Sequence, residues 1–174
     1  MSIPDTLITT YLEMTRRSAF RPAYLNDDDS QFTVLRMTTL DIDYYRFIYR
    51  AVGEQWRWRD RLLISDEALT AILEHPDTTV DIMYVGGVPV GFIELKREAD
   101  ETEIAYFGLR PGYIGQGLGK HLLSWGIAQA WSDGTQRLWL HTCNLDSPYA
   151  LDNYLKRGFT IYDVREEPMP ARYY

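Results

Sequence analysis

A strand-like pattern runs into closely spaced glycines and then into an amphipathic helix, and this junction constrains the fold more than any other segment. It reads LRPGYIGQGLGKHLL from Leu109 to Leu123, with glycines at 115, 117 and 119. Glycine has no Cβ, so it lets a ligand approach the backbone and permits the positive φ of a turning loop. The unpaired N–H groups of the first helical turn converge where the helix dipole favours an anion. The junction therefore predicts a phosphate-binding loop.

The spacing of this loop excludes two common phosphate-binding motifs. A P-loop has Ser or Thr after its Lys and a glycine five positions before its Gly-Lys pair, whereas here His121 follows Lys120 and Ile114 stands at the glycine position. A dinucleotide-binding loop reads G-x-G-x-x-G in an early βαβ unit and is followed about 20 residues later by an acid. This loop reads G-x-G-x-G and has Trp139 and Leu140 at that distance. Neither motif explains it.

The glycine loop instead resembles the acetyl-CoA loop of the GNAT superfamily of N-acetyltransferases. That pattern is Gln or Arg, two residues, Gly, one residue, and Gly or Ala. Residues 114–119 match it at Gly117 and Gly119 and depart at Ile114, where Gln or Arg is usual. The departure affects one side-chain contact and leaves the backbone N–H groups in place.

A second segment near the C-terminus carries the same resemblance. It is similar to the family signature of an Asn, then an Ala, then Leu-Tyr-x-Lys-x-Gly-Phe, with Asn153 in place of the Leu. The matching residues are Asn144, Ala150, Tyr154, Gly158 and Phe159. Two ordered motifs are much harder to obtain by chance than either alone, and the resemblance spans residues 32–165.

Periodic patterns predict a single mixed α/β (α+β) domain over residues 1–174. The resemblance implies the GNAT fold, a central mixed, mostly antiparallel twisted sheet of six to seven strands with four helices in the order β-α-α-β-β-β-α-β-α-β. Residues 1–31 are expected to form an N-terminal extension, in which the weak alternation of residues 9–14 predicts one extra strand. The other strands are predicted over 32–37, 79–85, 88–96, 103–109, 137–143 and 159–165. Helices are predicted from a Thr38 or Thr39 cap to Gly53, from Ser65 to His75, after the glycine loop, and over 148–157.

Charge and cysteine content limit the partners. The formal net charge of -7 argues against nucleic acid and anionic membranes, which bind basic surfaces. Cys143 is the only cysteine, so no internal disulfide can form, which fits a reducing compartment. The sequence shows no leader and no apolar run near the ~18 residues of a membrane span. We expect a soluble cytoplasmic protein, a monomer or homodimer, with Cys143 as a buried structural thiol rather than a nucleophile.

The resemblance implies acetyl-CoA as cosubstrate and assigns its contacts. The implied residues are Phe107, Gly108, Leu109, Ile114, Gly115, Gln116, Gly117, Leu118, Gly119, Lys120 and Asn144. In the family's arrangement the Asn bonds the pantetheine arm, the N–H of Phe107 faces the thioester oxygen, and Leu109 pairs with pantetheine like an added strand. The two central strands must then splay apart. The three histidines lack metal-ligand spacing, so no metal is expected.

Acetyl transfer to an amine needs a base, because an amine with a pKa near 10.4 is only about one part in 10³ neutral at pH 7. Glu103 matches the glutamate that serves as base in several family members. Period-2 geometry puts it on one strand face with the apolar residues at 105, 107 and 109, which would raise its pKa. The alternative is a solvated acid at a strand start.

Tyr154 matches the family's usual proton donor to the CoA sulfur. Its alternative role is that of a core aromatic paired at i, i+4 with Ala150. Either reading places it on the helix predicted over 148–157, after the fifth strand of the family order.

A run of aromatic and basic residues between the first two helices is the candidate acceptor site. Its members are Trp56, Trp58, Arg59 and Arg61, and the arginines could bind an acceptor carboxylate or phosphate. Equally, the run could be a solvated loop whose indoles cap the core. The resemblance implies an N-acetyltransferase that moves acetyl directly to an amine of a small molecule, amino acid or peptide in a ternary complex. A CoA-binding module without turnover, and an acyltransferase with another acyl group or acceptor, remain the alternatives.

Overall fold

One seven-stranded sheet forms the centre of the protein. A computed structural model describes residues 2–26 and 31–174; residues 27–30 of the predicted N-terminal extension lie outside the described residues. The strands are β1 (Thr6–Met14), β2 (Phe32–Arg36), β3 (Thr78–Val85), β4 (Val88–Glu98), β5 (Glu101–Leu109), β6 (Arg137–Cys143) and β7 (Thr160–Pro168). Their order is β2-β3-β4-β5-β6-β1-β7, and the β5–β6 pair is parallel whereas the others are antiparallel. The predicted fold class is confirmed.

The helices cover both faces of the sheet. They are α1 (Ile42–Gly53), α2 (Asp60–Leu63), α3 (Asp66–Leu73), α4 (Leu118–Ser132) and α5 (Ala150–Arg157). The four predicted helices are present, and the short α2 was not predicted. Ser65 caps α3 as expected, but α1 starts later than expected because Asp41, not Thr38 or Thr39, accepts the bond from Tyr44 N at 2.8 Å.

Each face of the sheet buries its own apolar cluster. On one face α1 and α3 cover a cluster that contains Tyr45, Ile48, Tyr49, Val52, Leu69, Val80, Ile82 and Phe92. On the other face α4 and α5 cover a larger cluster, which includes Ile93, Leu95, Ile104, Leu109, Leu122, Leu123, Ile127 and Tyr154.

The extra N-terminal strand is confirmed, and its position was not foreseen. β1 inserts between β6 and β7 and pairs antiparallel with both. Beyond it, the chain crosses α4, where Ala23 N donates to Ser124 Oγ at 2.9 Å and Leu25 N donates to His121 Nδ1 at 3.1 Å. The N-terminal extension is thus part of the sheet and of the α4 surface.

A β-bulge interrupts β5. Glu94 pairs with Tyr106 and Leu95 pairs with Ile104, so Ala105 is an extra residue. Phe107 consequently packs with Ile104 in the α4 cluster. The prediction that residue 103 shares a face with residues 107 and 109 is therefore wrong, because the bulge shifts the alternation by one residue.

Candidate functional site

A cavity of about 1070 Å³ opens where β5 and β6 diverge. These strands pair only from Glu101 to Glu103, opposite Arg137 to Trp139, and share no ladder bonds beyond that point. The cavity brings together most of the predicted site residues: Trp56, Trp58, Arg59, Arg61, Glu103, Phe107, Gly108, Leu109, Ile114, Gly115, Gly117, Gly119, Lys120 and Tyr154. The base, proton-donor, loop and acceptor candidates therefore face one volume.

Three predicted cosubstrate residues do not line this cavity. The side chain of Gln116 turns back to the carbonyl of Gly112 at 3.3 Å, and Leu118 is buried in the α4 cluster. The amide of Asn144 is used by β1, since it accepts from Ile8 N and donates to the carbonyl of Thr6, both at 3.0 Å. The cavity wall in this part of the chain includes Ser147 instead.

The glycine loop has the geometry of an anion site. Gly115 and Gly117 have φ of 88° and 81°, and no side chain of the described residues caps α4 where it begins after Gly117. A Cβ on Gly117 would lie 3.2 Å from Leu25 Cδ2 and 3.3 Å from Lys120 Cε. Gly119 lies inside the first turn of α4 and its φ is not positive, so only space, not conformation, favours glycine there. Uncapped N–H groups, an adjacent Lys and the absence of side chains fit the diphosphate of CoA.

Glu103 faces the cavity from β5 just before the bulge. Burial raises the pKa of its carboxyl above the ordinary value, and the nearby His141 and Lys96 side chains partly oppose that shift. Those two side chains also line the cavity. A carboxylate with a raised pKa beside open space suits a base that collects a proton near neutral pH.

Tyr154 is both a core aromatic and a cavity residue. Its ring packs edge-on against Phe107 and Phe159, with centroids 6.1 and 6.2 Å away. Among the described residues none forms a hydrogen bond with its hydroxyl. Burial, and secondarily the charge of Asp146, raise the pKa of this phenol, so it remains protonated over the physiological range.

The two candidate arginines of the acceptor site differ in whether a carboxylate of the protein already binds them. Arg61 Nη2 donates to Glu94 Oε1 at 2.7 Å, and its guanidinium lies 5.0 Å from the ring centroid of Tyr106. Arg59 Nη1 donates only to the carbonyl of Trp58, at 3.3 Å, and has no carboxylate partner within the described residues. Arg61 is therefore a structural part of the wall, whereas Arg59 can reach a ligand.

Trp58 is fixed from several sides. Its indole contacts Tyr49 and Tyr106, with ring centroids 5.4 and 5.2 Å apart, and its Nε1 donates to Asp146 Oδ1 at 3.1 Å. Trp58 thus has both roles considered for it from the sequence. Its indole caps the α1 cluster of the core, and it also lines the cavity as an acceptor-site residue would.

Sequence reasoning missed several cavity residues. Arg157 follows Tyr154 by three positions on the same stripe of α5, a spacing that could have revealed it. Its Nε and Nη1 are shielded from solvent without an acceptor within the described ranges, and desolvation lowers its pKa. An anionic ligand group would compensate this charge. The tail also contributes, since Arg57 Nη1 donates to the carbonyl of Tyr173 at 3.0 Å.

Other chemistries lack a matching site. No cluster of three or more His, Cys, Asp or Glu side chains able to hold a metal occurs in the part of the chain that the structure describes. Across residues 2–26 and 31–174, no helix is long and apolar enough to cross a membrane. Burial and the charge of Asp146 raise the pKa of the Cys143 thiol to about 11, which disfavours a thiolate nucleophile.

Comparison with known proteins supports the same family as the two motifs. A model of the acetyltransferase (GNAT) family matches residues 36–159. A search of curated proteins found no significant match.

Solved structures share the fold at low sequence identity. A functionally unknown conserved protein from Staphylococcus epidermidis has a TM-score of 0.69 and 16% identity, covering 92% of this chain and 60% of its own. An aminoglycoside acetyltransferase from an uncultured soil metagenomic sample has a TM-score of 0.62 and 17% identity, covering 74% and 88%. PaiA N-acetyltransferase from Thermoplasma acidophilum, in complex with coenzyme A, has a TM-score of 0.54 and 19% identity, covering 79% and 99%. At these identities the likeness concerns the fold. This chain spans less than two thirds of the length of the Staphylococcus protein.

Proposed function

This chain belongs to the GNAT acetyltransferase family, and on that premise we propose that it transfers the acetyl group of acetyl-CoA directly to the amine of a small molecule, an amino acid or a peptide. One observation carries the proposal: a carboxyl with a raised pKa, a protonated phenol and an uncapped glycine-loop helix line the same cavity. Each supplies a different requirement of acetyl transfer.

Acetyl-CoA binds along the open edge of β5. The glycine loop and Lys120 receive the diphosphate, because the first amides of α4 carry partial positive charge and none of the described side chains caps them. Beyond Glu103, β5 has lost β6 as a partner, which leaves main-chain groups for pantetheine. The N–H of Phe107 stabilises the thioester oxygen as it gains charge. A fold neighbour in complex with coenzyme A supports the choice of cosubstrate.

Glu103 acts as the base that deprotonates the acceptor amine, and Tyr154 acts as the acid that protonates the departing sulfur. Glu103, directly or through a water molecule, takes the proton of the ammonium, and the neutral nitrogen attacks the thioester carbon. The new C–N bond forms, the C–S bond breaks, and Tyr154 donates its proton to the departing sulfur. The second proton that the nitrogen loses passes through water to the Tyr154 phenolate and restores the phenol, and Glu103 releases its proton to solvent. The products are the N-acetyl compound and the free thiol of CoA. We assign a ternary complex of both substrates, because the raised pKa of the Cys143 thiol disfavours it as the nucleophile of an acetyl-enzyme.

An acceptor screen tests this proposal through release of the CoA thiol. Purified protein is incubated with acetyl-CoA and a panel of amines, amino acids and peptides, and free thiol is read with a chromogenic reagent against a protein blank for Cys143. We expect turnover that falls about 10²- to 10⁴-fold in Tyr154→Phe, with little change in CoA affinity. Calorimetric CoA binding without thiol release for any acceptor would instead identify a CoA-binding module.

The compartment belongs to the same proposal. We place the protein in the cytoplasm, as a monomer or homodimer without nucleic acid or membrane partners. The net charge of -7 and the single cysteine support this assignment.

A further inference from the structure

The two halves of the reacting site lie on opposite sides of a gap in the sheet. Glu103 and Phe107 belong to β5, whereas Tyr154 lies on α5, which follows β6. Ladder bonds between β5 and β6 end at the Glu103–Trp139 pair. Contacts and bonds outside the sheet, among them the packing of Tyr154 against Phe107, therefore fix the distance between the halves where the chemistry takes place.

Asp146 makes such a bond across the gap. Its Oδ1 accepts from Trp58 Nε1 at 3.1 Å, on the β5 side. Its Oδ2 accepts from Thr142 Oγ1 at 2.7 Å and from the N–H of Cys143 at 2.9 Å, at the end of β6. One carboxylate thus joins the acceptor wall to the turn that leads into α5.

Trp58 gives the β5 side of this link a fixed position. A Cβ on Gly53 would lie 2.4 Å from the indole, and a Cβ on Gly108 would lie 3.5 Å from its Cη2. The indole therefore packs directly on two glycine backbones, one of them in the strand that carries Phe107. A movement of Trp58 is transmitted to β5, and a movement of Asp146 is transmitted to β6 and α5.

We propose that Asp146 is a positioning residue for acetyl transfer, which holds the Trp58 side and the Tyr154 side of the cavity at a fixed separation. This role rests on the proposed function, since it concerns the same reaction. Asp146 acts through Trp58 and the β6–α5 turn, and Tyr154 delivers the proton. Because a misplacement of about 1 Å can cost about 10²-fold in rate, loss of the link should reduce kcat more than it affects binding.

Two substitutions break the link in different ways. Trp58→Phe removes the indole N–H and keeps an aromatic ring between the glycines. Asp146→Asn keeps one oxygen acceptor but turns an N–H₂ group toward a donor, so at least one of the three bonds is lost. Trp131→Phe is the matched control, because its Nε1 is buried without an acceptor in the described part of the chain and the residue lies on α4, outside the cavity.

The kinetic test compares these variants with the acceptor that the screen returns. We expect kcat to fall about 10- to 100-fold in Trp58→Phe and in Asp146→Asn. The kcat of the double variant should be no lower than that of the slower single variant, because both substitutions break the same link. The dissociation constant of CoA should stay within about 2-fold of wild type, and Trp131→Phe should behave as wild type. A kcat near wild type in both folded variants, or additive losses in the double variant, would overturn the proposal.

A second readout follows the Asp146 carboxylate without turnover. Asp146 and Tyr173 are the titratable groups that face Cys143, and the pKa of this thiol lies near 11. The pH midpoint of Cys143 alkylation should fall in Asp146→Asn, because the neighbouring negative charge is gone, and should change little in Trp58→Phe. An unchanged midpoint in Asp146→Asn would contradict the location of the carboxylate. Absence of turnover in the wild type would contradict the proposed function instead, so the two failures are distinct.

Discussion

Arg61 donates from Nη2 to Oε1 of Glu94 at 2.7 Å, and the Glu94 side chain is only 1% exposed. The other oxygen of this carboxylate accepts from the hydroxyl of Tyr45. A buried carboxylate with this set of partners depends on each of them. The ion pair therefore fixes the start of α2 against the sheet, and it also removes Arg61 from the groups available to an acceptor.

Arg61→Ala should lower the free energy of unfolding by about 3 to 5 kcal/mol, because it leaves the buried Glu94 carboxyl without its cationic partner. Urea denaturation followed by circular dichroism measures the loss. Adding Glu94→Gln to Arg61→Ala should restore part of the stability. A loss below about 1 kcal/mol would show that the pair is dispensable.

Arg59→Ala should leave stability unchanged and reduce kcat/KM for an acceptor that carries a carboxylate. Removal of one charge-assisted hydrogen bond costs about 1.5 to 3 kcal/mol, which is about 10- to 150-fold. The decarboxylated analogue of the acceptor should show no such loss. If both acceptors lose activity equally, Arg59 contributes only to the cavity wall.

Glu103→Gln should lower kcat/KM by about 10²- to 10⁴-fold at neutral pH, with a smaller loss at higher pH where the amine deprotonates unaided. In the wild type the base must be deprotonated, so activity falls as the pH drops through the raised pKa of Glu103, above the ordinary range for a carboxyl. Rate profiles over pH measure both effects. Glu101→Gln is the control, since Glu101 is exposed and pairs with Arg137. A defect that is independent of pH would assign the base to another group.

Gly117→Val should reduce acetyl-CoA affinity by more than about 100-fold, because a β-branched residue resists the positive φ and occupies the anion site. Gly119→Val should also weaken binding, but only by filling space, since its backbone is helical. Gly112→Ala is the control, with open space around its Cα and no positive φ. Calorimetry measures the acetyl-CoA affinity of the folded variants. An affinity equal to that of the wild type in Gly117→Val would show that the glycine loop does not bind acetyl-CoA.

Arg157→Gln should weaken CoA binding by about 10- to 150-fold if the guanidinium compensates a phosphate charge. Pantetheine, which has no phosphate, should bind both proteins equally. Arg165→Gln on β7 is the control, because Arg165 pairs with Asp163 and is exposed. Equal CoA affinity in Arg157→Gln and wild type would leave Arg157 without a role in the site.

Most elements of the sheet could be predicted because their signals are local. Alternation predicted β3 to β5, and Ser65 marked the start of α3. The bulge at Ala105 has no such signal, since alanine is ordinary in a strand and the extra residue is decided by pairing with β4. The position of β1 depends on its pairing with β6 and β7 near the other end of the chain, so the local sequence of β1 could not predict it.

The same distinction explains the site. Gly117 and Tyr154 were found because they belong to ordered motifs, and Glu103 was found because it matches the family's base; all three line the cavity. The amide of Asn144 was assigned to pantetheine, yet the inserted β1 strand occupies it. Asp146 acquires its role through Trp58, which is distant in sequence, so only the folded chain reveals it.

The insertion of β1 between β6 and β7 has a consequence for how the chain folds. The bond from Ile8 N to Asn144 joins residues 136 positions apart, and closing a loop of that length costs roughly 4 kcal/mol of chain entropy. Such pairing raises the contact order and slows folding. During synthesis, β1 emerges before β6 and β7, the two strands with which it pairs. The cavity wall that β1 helps to build is therefore completed only after nearly all of this sequence has been translated.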